Sequence, residues 1–276
     1  MPNTIQQITA KKKEHDLIVM LTAYDYPTAR ILDQHGVDLI LVGDSLANVA
    51  LGLDSTKEVG MFEMLHHAKA VRRGVREALV IGDMPYESYQ LDINSAVKHA
   101  RSFIQEAGCD GVKVEWFDSC LEVVQRLRED GIPVMGHIGL TPQTAEQLGG
   151  FKVQGRDLDS AQALLANARA LQTAGCFSLV LECVPSELAA LITEKVSIPT
   201  IGIGAGNACD GQVLVTQDIL GLYDRFKPKF VKTYAQLSDQ IGAVIDQFSV
   251  EVKSRAFPSV KESFTMDKTV LQKLQE

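Results

Sequence analysis

Short apolar runs rich in Val, Ile and Leu alternate along this chain with longer stretches whose apolar residues recur every three or four positions. Eight runs read as strands: "LIVMLTAYD" (17–25), "DLILVGD" (38–44), "LVIGDMP" (79–85), "GVKVEW" (111–116), "PVMGHIG" (133–139), "SLVLECV" (178–184), "PTIGIGAG" (199–206) and "GQVLVTQD" (211–218). Their apolar residues are near-continuous, as in parallel strands covered on both faces. Between runs, Ile93, Ala96, Val97, Ala100, Ile104 and Ala107 keep helical spacing behind a cap at Asp92. Ala161, Leu164, Leu165, Ala168 and Leu171 do the same behind Asp159 or Ser160. Pro85, Pro133, Pro185 and Pro199 sit at or beside strand ends, where a missing N–H is tolerated.

A faint repeat runs through "HGVDLILVGD" (35–44), "AGCDGVKVE" (107–115) and "AGCFSLVLE" (174–182). Each ends a helix at Gly, passes through an apolar strand and finishes on an acid, and Gly there suits a left-handed cap. Eight strands with helical crossovers predict an α/β fold, a (β/α)8 TIM-type barrel spanning 1–276 as one domain. A doubly wound open sheet is the runner-up. The link between the last two strands is too short for a full helix. The tail 254–276 falls outside the barrel count and is expected to pack outside it, on a neighbouring copy.

Composition narrows the function classes. The chain has 276 residues, 46% hydrophobic, enough for a large core, and its net charge of -8 argues against a nucleic-acid partner. "KKK" at 11–13 is followed at once by Glu14 and Asp16, so it reads as a solvated helix face. Neither a signal peptide nor a membrane span is expected. Five scattered cysteines with no CxxC read as reduced packing residues of a cytoplasmic protein.

In a barrel of this kind, chemistry collects at the carboxyl ends of the strands. Those positions hold Asp44 and Ser45, then Asp83, then Lys113 and Glu115, then His137, then Glu182. Lys113 and Glu115 are two apart on one strand and face the same way, with Val112 and Val114 facing the other. Taken singly, each has a bland reading: a helix-capping Asp, a turn Ser, a self-satisfying ion pair, a hydrogen-bonded structural His. Together, four acids would repel one another severely without a cation among them. Oxygen donors favour Mg²⁺ over zinc, one ion per subunit, with Asp44 and Asp83 as direct ligands and Glu115 binding directly or through water. Such an ion chelates a 2-oxo acid and acidifies the adjacent C–H. Glu182 is then the candidate base, with Lys113 and His137 to stabilise the substrate carboxylate or enolate. "GIGAG" (202–206) reads as a close turn before it reads as a phosphate loop. Lys152 and Arg156, in "GGFKVQGR" (149–156), read as exposed loop charges before they read as anion contacts.

Several segments carry a wider resemblance. "MLTAYDYPTARILDQHGVDLILVGDSL" (20–46), "GDMPYESY" (82–89), "GVKVEW" (111–116), "PVMGHIGLTPQ" (133–143), "GGFKVQGR" (149–156), "VLECVP" (180–185) and "IGIGAGNACDGQVLVTQDILGL" (201–222) closely resemble the ketopantoate hydroxymethyltransferase family. The match runs in order from near residue 4 to "AFPSVKESF" (256–264). The resemblance implies transfer of a one-carbon unit from 5,10-methylenetetrahydrofolate to 3-methyl-2-oxobutanoate, giving 2-dehydropantoate for pantothenate and coenzyme A synthesis. It implies magnesium at Asp44, Asp83 and Glu115, keto-acid contacts at Asp44, Ser45, Asp83 and Lys113, Glu182 as proton acceptor, and a decamer. One departure is "VKVEWFDS", where the family pattern continues Gly-rich after the Glu; Trp116 alters local packing and leaves the Lys-x-Glu pair intact.

Two other readings stand beside it. A metal-dependent lyase or mutase of the isocitrate lyase and phosphoenolpyruvate mutase kind shares the "VGDS" logic, but this chain has no Lys-Lys-Cys-Gly-His-like loop. A non-catalytic barrel that only binds a metal or an anion has no use for Glu182 across from a metal pair.

Overall fold

The structure is a computed structural model that describes residues 3–90, 92–147 and 149–276. Eight strands form one closed, all-parallel barrel in chain order: β1 Ile18–Thr22, β2 Leu39–Val42, β3 Leu79–Asp83, β4 Gly111–Glu115, β5 Val134–Gly139, β6 Ser178–Glu182, β7 Thr200–Ile203 and β8 Gly211–Leu214. Each predicted run contains one of them. β8 pairs back onto β1, which excludes the open sheet and leaves no strand edge.

The helices are α1 Ile5–Glu14, α2 Tyr26–Gln34, α3 Leu46–Val49, α4 Met61–Gly74, α5 Ile93–Gln105, α6 Cys120–Glu129, α7 Leu158–Ala174, α8 Ser186–Lys195, α9 Thr216–Leu220, α10 Leu237–Lys253 and α11 Lys268–Gln275. The link 204–210 between β7 and β8 forms no helix, as its length foretold. Asp92 caps α5, its carboxylate accepting from Ser95 N at 2.8 Å. α7 corrects the expected cap: Asp157, not Asp159 or Ser160, accepts from Ser160 N at 2.9 Å. Its first turn buries no apolar residue, so periodicity did not reveal it. After α2, α5 and α7 the repeat's Gly36, Gly108 and Gly175 all take positive φ, at 74°, 73° and 105°.

Strand alternation sorts the side chains into two layers. Ile40, Val42, Val80, Val112 and Val114 face outward and pack with the helices in the larger apolar cluster. Leu39, Leu41, Leu79, Ile81, Met135, Val180, Ile201 and Val213 face inward and fill the lower barrel. α1 closes that end, with Ile8 fully buried in the inner cluster. This placement overturns the solvated reading of the basic run. Lys12 Nζ lies 2.6 Å from Asp210 and 2.9 Å from Thr193 O, and Lys11 lies 3.1 Å from Asp38. With α1 lying across the barrel's floor, these two ammonium groups reach acids at the starts of β2 and β8. α10 and α11 carry no buried residue among the described residues.

Barrel closure sets a testable limit at Gly211, where an added Cβ would sit 2.5 Å from the Ile18 carbonyl oxygen. Gly211→Ala should cost about 3 kcal/mol in urea unfolding. Gly36→Ala, with positive φ but nothing within 4 Å of the new Cβ, should cost only about 1 kcal/mol.

Candidate active site

Register assembles the site. Asp83 pairs beside Lys113 across β3–β4, and Glu115 beside His137 across β4–β5. These partners point into the barrel above the apolar layer, roughly 4.8 Å apart by strand spacing. Lys113 Nζ accordingly meets Asp83 Oδ1 at 2.6 Å and stands 3.8 Å from Glu115 Oε1. His137 Nδ1 stands 3.4 Å from Glu115 Oε1, and its Nε2 stands 3.3 Å from Glu182 Oε2. Opposite Glu182, β5 places Gly139 at φ 97°, where a Cβ would meet the Glu182 carbonyl oxygen at 2.2 Å. Only glycine fits that approach.

Asp44 and Ser45 follow β2 in a turn. Asp44 N donates to Asp83 Oδ2 at 3.1 Å, so the second strand's loop is pinned to the third strand's acid. The Ser45 hydroxyl lies 2.8 Å from that of buried Tyr24. Thus all seven residues singled out in the sequence gather at one mouth of the barrel. Asp44, Asp83, Lys113, Glu115 and His137 are buried, while the Glu182 side chain keeps 16% exposure. Lys152 and Arg156 are exposed in their loop. Of "GIGAG", Gly202 and Ile203 end β7 and 204–206 bend away from it under Phe230, which a Cβ on Gly204 would touch at 2.7 Å.

Burial and like charge dominate the electrostatics. Desolvation, then the neighbouring Asp83, push the Asp44 carboxyl well above the usual carboxylate range. Burial works against a charged Lys113, but Asp83, Glu115 and Asp44 outweigh it and hold its pKa above the ordinary lysine value. His137 is opposed by burial and by Lys113, yet the carboxylates of Glu115 and Glu182 on either side of its ring lift it to about 9. Its two ring nitrogens and Glu115 Oε1 have no well-aligned hydrogen-bond partner among the described residues; their mutual contacts are ion-pair distances only.

Sequence reasoning missed Gln143 and Tyr89, both buried. Gln143 Nε2 donates to Asp44 Oδ2 at 2.9 Å, and Gln143 N donates to Glu115 Oε2 at 3.1 Å. Tyr89 donates its hydroxyl proton to Gln143 Oε1 at 2.6 Å. Both lie in quoted motifs, "GDMPYESY" and "GLTPQ", but neither stands at a strand end.

Among the described residues no three His, Cys, Asp or Glu groups stand ready-made around a metal position. Mg²⁺ does not require three: it binds through one or two carboxylates and completes its shell with water and ligand oxygens. Buried oxygen donors on Asp44 and Asp83, with Glu115 Oε1 unpartnered beside them, fit that ion.

Buried carboxylates, an ammonium and an imidazole inside the carboxyl-end mouth of a closed parallel barrel define a (β/α)8-barrel enzyme. Solved structures share the fold. A phosphoenolpyruvate phosphomutase from Streptomyces platensis subsp. rosaceus aligns with a TM-score of 0.61 at 15% identity, over 99% of this chain and 95% of that one. A phosphonopyruvate hydrolase, solved with oxalate and Mg²⁺, aligns with a TM-score of 0.60 at 12% identity, over 94% and 93%. Sequence comparison is more specific. The family model described as ketopantoate hydroxymethyltransferase matches residues 2–260. The 3-methyl-2-oxobutanoate hydroxymethyltransferase of Dehalococcoides mccartyi strain CBDB1 is 52% identical over 276 residues, covering 100% of this chain and 99% of its own. That of Syntrophomonas wolfei subsp. wolfei is 51% identical over 271 residues, covering 98% of each. This chain belongs to the ketopantoate hydroxymethyltransferase family.

Among the described residues Lys113 is the one ammonium amid these acids, so its removal should be costly. In metal-free protein, Lys113→Met should lower the unfolding free energy by about 3–5 kcal/mol at pH 8. The loss should shrink at pH 5. Asp44 has a raised folded-state pKa, so the folded form gains a proton as pH falls, and that proton relieves the repulsion left by the missing ammonium. Urea melts in EDTA at the two pH values measure both effects.

Proposed function

We propose that this chain transfers a hydroxymethyl group to 3-methyl-2-oxobutanoate, consuming 5,10-methylenetetrahydrofolate and water and releasing tetrahydrofolate and 2-dehydropantoate, a step of pantothenate synthesis. Identity of about half the residues along the entire chain supports this reaction over the lyase or mutase reading, whose representatives share 11–15%. The observation that carries the mechanism is the placement of Glu182. On an eight-strand ring, β6 lies across from β2, so the Glu182 carboxylate, 16% exposed, stands across the mouth from Asp44 and two strands from Glu115.

Asp44 and Asp83 would hold a magnesium ion, with Glu115 beside them. Bound there, the ion would withdraw charge from the keto group of a chelated 2-oxo acid and acidify its C3–H. Asp44, Ser45, Asp83 and Lys113 line the place where the keto acid sits, and the Lys113 ammonium balances negative charge on its oxygens. Glu182 accepts the C3 proton. The electron pair left behind forms the new C–C bond to the one-carbon unit, whose two bonds to the folate nitrogens break; water supplies the hydroxyl oxygen, and the C3 proton and the remaining water proton end on those nitrogens. His137, reaching Glu115 with one nitrogen and Glu182 with the other, fixes the direction in which the base points. These contacts, at 3.4 and 3.3 Å, are long, as is common for catalytic groups without ligand. The five free cysteines suit a cytoplasmic enzyme. No helix among the described residues is long and apolar enough to cross a membrane.

α10 supports a homo-oligomer. Ile241, Val244, Ile245, Phe248 and Val252 recur along one stripe and are all exposed, at 46–66%. An apolar seam of this length on a 17-residue helix requires a covering surface, and a second copy of the chain supplies it. Family resemblance makes a decamer the expected assembly, with 254–276 packing on the neighbour.

Glu182→Gln should slow exchange of the C3 proton of 3-methyl-2-oxobutanoate into D₂O by about 10³-fold while Mg²⁺-dependent binding of the keto acid stays within a few-fold. Proton NMR without folate reads the exchange, and EDTA should abolish it in the parent protein. Unchanged exchange would move the base elsewhere, with His137 next. Separately, Phe248→Asp should reduce the assembly to smaller species in analytical ultracentrifugation; an unaltered sedimentation coefficient would place the interface on another surface.

A further inference from the structure

Beyond Asp83 and Lys113, the β3–β4 ladder opens. Met84 N still donates to Lys113 O at 3.1 Å. The next rung of a parallel pair would run from Glu115 N to Met84 O. Instead, Glu115 N donates to the Tyr89 hydroxyl at 3.2 Å, and Met84 O accepts from Gln143 Nε2 at 3.0 Å. Tyr89 and Gln143, joined at 2.6 Å, are spliced into the missing rung.

The splice has a fixed polarity. A backbone N–H only donates, so the Tyr89 oxygen accepts from Glu115, and also from Gln90 Nε2 at 3.2 Å. The hydroxyl proton is therefore turned onto Gln143, whose carboxamide must present oxygen to Tyr89. Its NH₂ then faces Met84 O and Asp44 Oδ2. Both amide hydrogens are used. One carboxylate oxygen of Asp44 thus carries a neutral donor, which weakens it as a ligand, while Oδ1 accepts no hydrogen bond from the described residues and is the stronger donor toward a cation.

We propose that Gln143 is a positioning residue that presents Asp44 to the metal through a single oxygen, and that Tyr89 acts through Gln143 by locking its amide orientation. Without the lock, a flipped amide would set its oxygen against the Asp44 carboxylate. Partners of this kind around metal ligands are worth 10–100-fold in affinity. The proposal rests on Asp44 being a metal ligand, and the experiment separates the two.

The probe is Mn²⁺, titrated into metal-stripped full-length protein, with free Mn²⁺ read by electron paramagnetic resonance, with and without 3-methyl-2-oxobutanoate. Asp44→Asn tests the metal reading: an unchanged Mn²⁺ dissociation constant overturns it. If Asp44→Asn weakens binding, Gln143→Met should weaken it by 10-fold or more and Tyr89→Phe by several-fold. The double variant should be no weaker than Gln143→Met alone, because Tyr89 has no effect once its target is gone. A purely structural role would lower the urea midpoint of the metal-free protein and leave the Mn²⁺ constant unmoved, which overturns the proposal. Additive losses in the double variant overturn the coupling. Should Gln143→Met fail to fold, Tyr89→Phe carries the test: the ring keeps its edge-on packing against Phe117, 5.4 Å between centroids, and a Mn²⁺ constant within twofold of the parent refutes the lock.

Discussion

Burying like charges inside the barrel mouth is the constraint from which the rest of the site follows. Asp44, Asp83 and Glu115 lie out of water, and Glu182, in the same mouth, keeps only a small part of its side chain exposed. Fully ionised, these four carboxyl groups face one lysine and one histidine. Even with His137 protonated, as its raised pKa favours, two negative charges remain uncompensated. A low-dielectric cavity penalises such a deficit heavily. A proton on Asp44 meets part of it, and the direction of the Asp44 shift shows that pull. A divalent cation would meet all of it. The same imbalance that destabilises the ligand-free mouth is thus what would draw a divalent cation into it.

Barrel geometry allows this deficit to be confined. Alternation sends every second residue of each strand inward, so one strand contributes apolar groups at its start and charged groups at its end. β3 runs from Leu79 and Ile81 to Asp83; β5 runs from Met135 to His137. The apolar half, closed from below by Ile8, keeps water away from the charged half. Outward-facing Val112 and Val114 meanwhile seat β4 on the helices and fix the heights of Lys113 and Glu115. Packing on one face of the strand therefore sets the site's geometry on the other, to within the play of a well-packed core.

Much of this was legible in the residues. Strand ends could be read because continuous apolar runs break abruptly at acids, and period two tells which neighbours share a face. Lys113 and Glu115 followed from that rule alone. Other features were not legible, for identifiable reasons. Lys11 and Lys12 looked solvated because sequence does not show that α1 lies across the barrel's floor, where Asp38 and Asp210 wait. The cap at Asp157 lay outside the apolar pattern, since the first turn of α7 buries nothing. Tyr89 and Gln143 stand in loops, far apart in sequence, and their meeting depends on an opened rung that no periodicity encodes.

That opened rung also separates the barrel's architecture from the details of its mouth. The fold itself is shared by solved structures at 11–15% identity. A ladder continuing to Glu115 would close β3 against β4 and leave no place for side-chain hydrogen bonds between them. By parting one residue past Asp83, the two strands trade a backbone bond for two side-chain ones, Glu115 N to Tyr89 and Gln143 to Met84 O. The count of satisfied groups is preserved, so the exchange costs little stability. What changes is control: the orientation of Asp44 now depends on loop residues after β3 and β5, which can vary without disturbing the barrel.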